Sequence, residues 1–129
     1  MVVISSIIGY VGTPMRSAYA ASKHALHGFF DSLRLEHTKD HIDVTVVCPG
    51  FVRTDISRNA LEATGVSHQK MDPRTASGTD PTQCAFDILR GVAARKHEVY
   101  CARDAHYFIY LRRFFPRLLF RMLLRTQAT

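Results

Sequence analysis

Cysteine is scarce and scattered in this 129-residue chain. Cys48, Cys84 and Cys101 lie far apart with no CxxC pair, an odd set that argues against a disulfide framework and for reduced thiols in a reducing, cytoplasmic compartment. The marks of a secretion signal are scarce too: MVVISSIIGY has no basic start and too short an apolar run, and it is expected to be a strand. A polyanion-binding footprint is equally missing. The net charge is +6, but residues 1–102 hold eleven Lys/Arg against ten Asp/Glu, whereas residues 103–129 hold six Arg against one Asp. The basicity is therefore a property of the C-terminal tail, and nucleic acid is not an expected partner. Internal repeats and low-complexity tracts are absent.

What remains is the composition of one modest globular domain, 47% apolar and 22% charged. Strand-like and helix-like patterns alternate, which predicts a parallel sheet built from βαβ units. Residues 2–7 form an apolar, β-branched run. A helix is predicted from Ser17 to Lys39, with Leu26, Phe29, Phe30 and Leu33 on its apolar face. Residues 43–48 form a second buried strand, closed by Pro49-Gly50. Residues 51–79 are irregular and long for a plain connection, which suits a binding loop or lid. The next helix opens with Asp80 as N-cap, Pro81 at its first position and Gln83 completing a capping box. Ala85, Ile88, Leu89 and Val92 line its apolar side, and residues 97–101 form a third strand. This order resembles the last three strands of a Rossmann-type sheet.

Chemistry concentrates in Ser5-Ser6 and in Tyr19-Ala20-Ala21-Ser22-Lys23. Tyr19 and Lys23 are four apart, one turn along one helix face. A phenol titrating near ~10 is a poor acid–base group at neutral pH, but an ammonium held beside it favours the phenolate. A hydroxyl at the end of an adjacent strand can bind a substrate oxygen while the phenol moves a proton. That set suits interconversion of an alcohol and a carbonyl. Alone, a YxxxK pair is common on helices and a strand-end serine is ordinary. His24 and His27, three apart, lack a third ligand at suitable spacing and read as exposed or packed helix residues rather than a metal pair.

The wider context is more specific. The run VVISSIIGYVGTPMRSAYAASKHAL resembles the active-site segment of the short-chain dehydrogenase/reductase family, with the strand-end serine, Gly9, Pro14 and YxASK in the family's order. Pro49-Gly50-Phe51-Val52-Arg53-Thr54 then matches the family's PG-x-x-x-T pattern. The resemblance covers residues 1 to about 102. It implies an α/β fold, the C-terminal half of a doubly wound parallel sheet, with NAD or NADP as cofactor. It also implies Tyr19 as general acid/base, and Lys23 as the residue that favours the phenolate and binds the nicotinamide ribose. The family's serine precedes its tyrosine by thirteen residues, which selects Ser6 to polarise the substrate oxygen. Pro49, Gly50 and Val52 would border the nicotinamide, Val52 through its backbone, and Thr54 would bind the carboxamide or pyrophosphate. Ser57, Leu61, Val66 and Met71 would line the substrate pocket.

The resemblance also marks what is missing. The family's glycine-rich phosphate loop, its Asn-Asn-Ala-Gly motif, the residue that separates NAD from NADP and the catalytic asparagine all belong to an N-terminal half not present here. Met1 accordingly reads as the start of an internal strand, and the exposed sheet edge predicts poor solubility or order only with a partner. The Tyr19 helix often forms a subunit interface in the family, which implies a homo-oligomer.

Residues 103–129 form a second unit, a basic, apolar helical tail. Asp104 is a candidate cap, and Pro116 kinks or restarts the helix. Arg113, Arg117, Arg121 and Arg125 recur every fourth residue among phenylalanines and leucines. So many arginines argue against a spanning helix. Two arrangements remain: packing on its own domain or a second subunit, or lying in a membrane interface with arginines at the headgroups. In the family such tails resemble those of members acting on lipid-like substrates. Three functions follow: an NAD(P)-dependent oxidoreductase represented by its catalytic half, a non-catalytic module that pairs with an intact relative, or a peripheral membrane-surface protein.

Overall fold

The computed structural model describes residues 1–55, 73–102 and 104–125. Three parallel strands, β1 (Val2–Ile4), β2 (Thr45–Pro49) and β3 (Glu98–Cys101), lie in the order β1-β2-β3. Val3 pairs with Val46, and Val47 pairs in turn with Val99. The β-branched, nearly all-apolar β2 is explained by its place: it is central and covered on both faces, as parallel strands must be.

Helix α1 (Ser17–Glu36) covers one face. Its Leu26 and Phe30 join Val3, Val46 and Cys48 in one core cluster. The C-terminal end of α1 is tied down by Arg34, which donates to the carbonyls of Val44 (3.1 Å) and His97 (3.3 Å) at the starts of the two neighbouring strands. The helix stops three residues short of the predicted Lys39, where a 3-10 turn over Thr38–Asp40 leads into a left-handed His41 (φ 56°). After β2, the described part of the stretch read as irregular includes a helical turn, α2 (Pro73–Ala76).

Helix α3 (Pro81–Ala93) covers the opposite face. Asp80 caps it as predicted, accepting from the amides of Thr82 (2.9 Å) and Gln83 (3.3 Å). The capping box does not form, because the Gln83 side chain donates forward to Asp87 (3.0 Å), one turn on. The predicted apolar side is also rotated. Cys84, Ile88 and Gly91 face the sheet, while Leu89 is 66% exposed and Ala85 is exposed. The cause is a close approach at Gly91: a Cβ there would lie 2.1 Å from Val99 Cγ2, so only glycine lets the helix sit so near β3.

Pro116 divides the tail as expected, into α4 (Ala105–Phe114) and α5 (Pro116–Arg125). Asp104 makes no side-chain cap bond, contrary to its predicted role; its backbone (φ −94°, ψ 0°) departs from the extended geometry that aims a capping oxygen at the first turn. Leu111 and Leu119 are buried with Val11, and Tyr10, Phe108 and Met122 pack around them, so one tail face rests on the chain's own domain. Arg112 lies over the Phe120 ring (5.3 Å), joining α4 to α5. Among the described residues no helix is long and apolar enough to cross a membrane.

Candidate active site

The carboxyl ends of parallel strands are where such sheets bind ligands. Three of the predicted residues converge beside the end of β1. Ser5 and Ser6 continue that strand, and the alternation of a strand sends them to opposite sides. Ser5 is buried and turned inward, its Oγ donating to the Lys23 carbonyl (3.3 Å). Ser6 is half-buried and caps a 3-10 turn over Ile7–Gly9, accepting from the Ile8 amide (3.2 Å). Fixed as an acceptor from the main chain, the Ser6 oxygen keeps its own proton for a donor role.

Tyr19 and Lys23 occupy the N-terminal part of α1. The Lys23 ammonium lies 5.6 Å from the Tyr19 ring centroid and donates to the Ile4 carbonyl (3.0 Å), two residues before Ser6. Tyr19 is 43% exposed, open to a bound molecule. The last turn before α1 places Met15 in the left-handed region (φ 62°) and wholly in solvent.

The second group sits at the end of β2. Pro49 pairs with Cys101 in the sheet. Gly50 lies against the segment after β3, where a Cβ would meet the Ala102 Cβ at 2.6 Å, so its smallness serves packing. Val52 forms a parallel bridge with Thr79. The bonds of that bridge run from Arg53 N to Thr79 O and from Thr79 N to Phe51 O, both 2.9 Å. The amide groups of Val52 itself take no part and are directed to the other side, a donor–acceptor pair suited to a carboxamide. Thr54 is exposed just beyond. Ser57, Leu61, Val66 and Met71 lie outside the described residues.

The donor set therefore fits the nicotinamide end of a dinucleotide: an ammonium, a phenol, a strand-end hydroxyl and the Val52 amide groups. The family's glycine-rich phosphate loop has no counterpart in the sequence of these 129 residues. His24 and His27 diverge. His24 Nδ1 bonds the Ala20 carbonyl (2.8 Å) on its own helix, while His27 turns inward, with Nε2 3.0 Å from Ser5 Oγ. Sequence reasoning missed this inward cluster, which includes Glu98 and Tyr10; the only sequence signal was the helical spacing of Lys23 and His27.

Comparison with known proteins agrees with the geometry. Residues 1–65 match the family model for short chain dehydrogenases. Dehydrogenase/reductase SDR family member 7B from Bos taurus is 45% identical over 124 residues, covering 95% of this chain and 38% of the relative. The protein of that name from Danio rerio is 44% identical, over 95% of this chain and 40% of the relative. The chain thus spans about two-fifths of the length of these relatives. Among solved structures, a short chain dehydrogenase from Burkholderia cenocepacia in complex with NADP superposes with TM-score 0.74 at 22% identity, over 95% of this chain and 46% of that one. A second, from Burkholderia phymatum in complex with NAD, gives 0.70 at 20% identity, over 91% and 47%. These two establish the shared fold of parallel strands and flanking helices. With half the sequence matching the family model and the strands, helices and YxxxK segment arranged as that family requires, the chain belongs to the short-chain dehydrogenase family.

Proposed function

We propose that this chain is the catalytic half of an NAD(P)-dependent oxidoreductase that interconverts an alcohol and a carbonyl on an apolar, lipid-like substrate. The observation that carries the reading is the placement of Lys23 beside Tyr19, with its ammonium on the Ile4 carbonyl and Ser6 two residues further on. A bound nicotinamide would donate or accept the hydride. The protein's part is position and proton movement. Ser6 donates to the substrate oxygen, held in aim by its bond from the Ile8 amide. Tyr19 passes a proton to that oxygen during reduction or takes it during oxidation. Lys23, with one donor on Ile4, has others for the ribose hydroxyls and sets its positive charge beside the Tyr19 ring. Pro49, Gly50 and the Val52 amide groups would border the ring, with Thr54 beyond them. Exposed Met15 and the aromatic tail favour an apolar substrate.

The test is cofactor oxidation by the native polypeptide as its cell produces it, with NADH or NADPH and decanal as an apolar carbonyl probe. Tyr19→Phe removes only the phenolic oxygen and is expected to lower kcat by at least about a hundredfold, the usual contribution of general acid–base catalysis. Retention of full turnover would remove the oxidoreductase reading.

A second reading, peripheral attachment to a membrane through the tail, is favoured by one observation. Phe114, Phe115, Leu118 and Leu124 are each at least half exposed on helices that also carry Arg113, Arg117, Arg121 and Arg125. Arginines at anionic headgroups with aromatic groups below them are the pattern of an interfacial helix. Flotation with vesicles containing phosphatidylserine is expected to recover the protein. Arg117→Glu with Arg121→Glu should abolish that, and equal recovery of both proteins would exclude this mode. For a homodimer through α1, the support is the exposed face of Ala21, Ala25, Gly28 and Phe29.

A further inference from the structure

His27 lies where the two halves of the proposed machinery meet. It follows Lys23 by one turn on α1, and its side chain is only 12% exposed. On one side, Nε2 is 3.0 Å from Ser5 Oγ, which itself donates to the Lys23 carbonyl. On the other, Nδ1 faces Glu98 of β3 at 4.0 Å, a carboxylate that also accepts from the hydroxyls of Tyr10 and Tyr100. The Tyr10 ring packs on the imidazole (4.3 Å between centroids) and Cys48 Sγ approaches Nε2 at 3.9 Å. Gly9 completes the enclosure: a Cβ there would fall 2.5 Å from Nε2 and 2.8 Å from Ser5 Oγ. One ring thus touches the end of β1, the turn after it, β2 and β3, while belonging to the helix that carries Tyr19 and Lys23.

Packing alone does not account for an imidazole at this position. An aliphatic side chain would fill the space without the cost of burying polar nitrogens. What the imidazole adds is direction. It orients the Ser5 hydroxyl toward the Lys23 carbonyl, and Ser5 stands between Ile4, which takes the Lys23 ammonium, and Ser6. We propose that His27 is a positioning residue: acting through Ser5, it fixes the register between the helix bearing Tyr19 and Lys23 and the strand end bearing Ser6. The inference rests on the oxidoreductase reading for its consequence in turnover, but the register itself is independent of that reading.

The arrangement is pH-sensitive. The groups facing His27 are Ser5 at the end of β1, Tyr10 from the turn, Cys48 from β2, Glu98 from β3, and His24 and Asp31 along α1. Burial lowers the imidazole below its ordinary value, against the opposing pull of Glu98 and Asp31. The ring is therefore neutral at neutral pH. A proton added in acid turns both nitrogens into donors, draws Glu98 toward Nδ1 and competes with its tyrosine bonds.

The test compares His27→Phe, His27→Gln and Ser5→Ala in the native polypeptide, with NADPH and decanal, beside Tyr19→Phe. His27→Phe and Ser5→Ala are expected to lower kcat by about ten- to a hundredfold, the scale of a misplacement near 1 Å, with KM for NADPH nearly unchanged. The double variant should lose no more than either single one, because both break one linkage. Glutamine also offers an amide donor to Ser5, so His27→Gln should restore most of kcat and lose the acid limb of the pH profile that protonation of the imidazole produces. Loss within twofold for His27→Phe, or losses that multiply in the double variant, would overturn the proposal. Should His27→Phe fail to fold, persistence of the acid limb in His27→Gln overturns it instead. Hydrogen exchange at the Tyr19–Lys23 amides separates this inference from the oxidoreductase reading. His27→Phe and Ser5→Ala should accelerate it even if Tyr19→Phe shows that turnover does not use the phenol, and unchanged exchange would refute the register.

Discussion

At the scale of single residues, burial decides which side chains are reactive. Burial, and secondarily Glu98, pushes the Cys48 thiol up to about 12; burial, and secondarily Cys84, does the same for Cys101. Burial also lifts the hydroxyls of Tyr10 and Tyr100 well above the ordinary phenol value, with Glu98 adding to both. Thiolate is the reactive form, so these cysteines are inert in the folded state. Iodoacetamide at pH 8 is expected to leave the native chain unmodified by intact mass, and to add three groups once the protein is unfolded, since Cys48, Cys84 and Cys101 are all free and buried. Rapid native labelling of any of them would contradict the packing of β2 and β3. The same shifts set a sign for stability. An acid whose folded value is raised keeps its proton longer in the native state, so stability is full below the unfolded thiol value near ~8.5 and falls as pH rises toward the folded one.

At the scale of elements, the helix ends are the informative places. Helix α3 finishes in a Schellman motif: Lys96 N bonds the Gly91 carbonyl and Arg95 N the Val92 carbonyl, both at 3.0 Å. That closure holds Arg95 in the left-handed region at φ 50°. For a residue with a Cβ this conformation costs roughly 1–2 kcal/mol. The ion pair between Arg95 and Asp43 (3.4 Å) is exposed and returns only about 0–1 kcal/mol. Arg95→Gly trades a weak surface contact and some unfolded-state entropy for relief of strain. It is expected to stabilise the fold by up to about 1 kcal/mol in urea unfolding monitored by circular dichroism. A loss of stability would mean that the Asp43 contact outweighs the backbone. The same logic explains Asp80, whose carboxyl is held below its ordinary value, first by the Gln83 amide and then by the Thr82 amide and Arg53.

For the whole molecule, the question is what covers the sheet. Helices cover both faces of β2, but Val2 and Ile4 of β1 are 46% and 53% exposed, although they alternate with buried Val3. Ile4 shares its side with Val47, which α3 covers, so α3 shields the middle of that face and stops short of β1. An apolar strand edge of this kind is a template for pairing with another chain. With the exposed aromatic groups of α4 and α5, it predicts that the 129 residues alone will self-associate or bind a hydrophobic dye. Sedimentation as a monodisperse monomer with one sharp thermal transition would refute this.

How much of this was legible in the chain itself depends on how local the cause is. Sequence alone determined the order of strands and helices, the Asp80 cap, the break at Pro116 and the one-turn spacing of Tyr19 and Lys23. Each follows from periodicity, a fixed proline φ or a hydrogen bond to a neighbouring amide. The helix stripe of α3 was misread by one position, because its rotation is set by Gly91 meeting Val99 across the sheet. Asp104 had the right side chain for a cap but not the backbone conformation. Only the tertiary structure decided that Ser5 faces inward while Ser6 stays accessible. The same is true of His27, which gathers Ser5, Tyr10, Cys48 and Glu98 from four separate segments. No local pattern encodes such a meeting, since its energy comes from burial that exists only once the sheet has closed against α1.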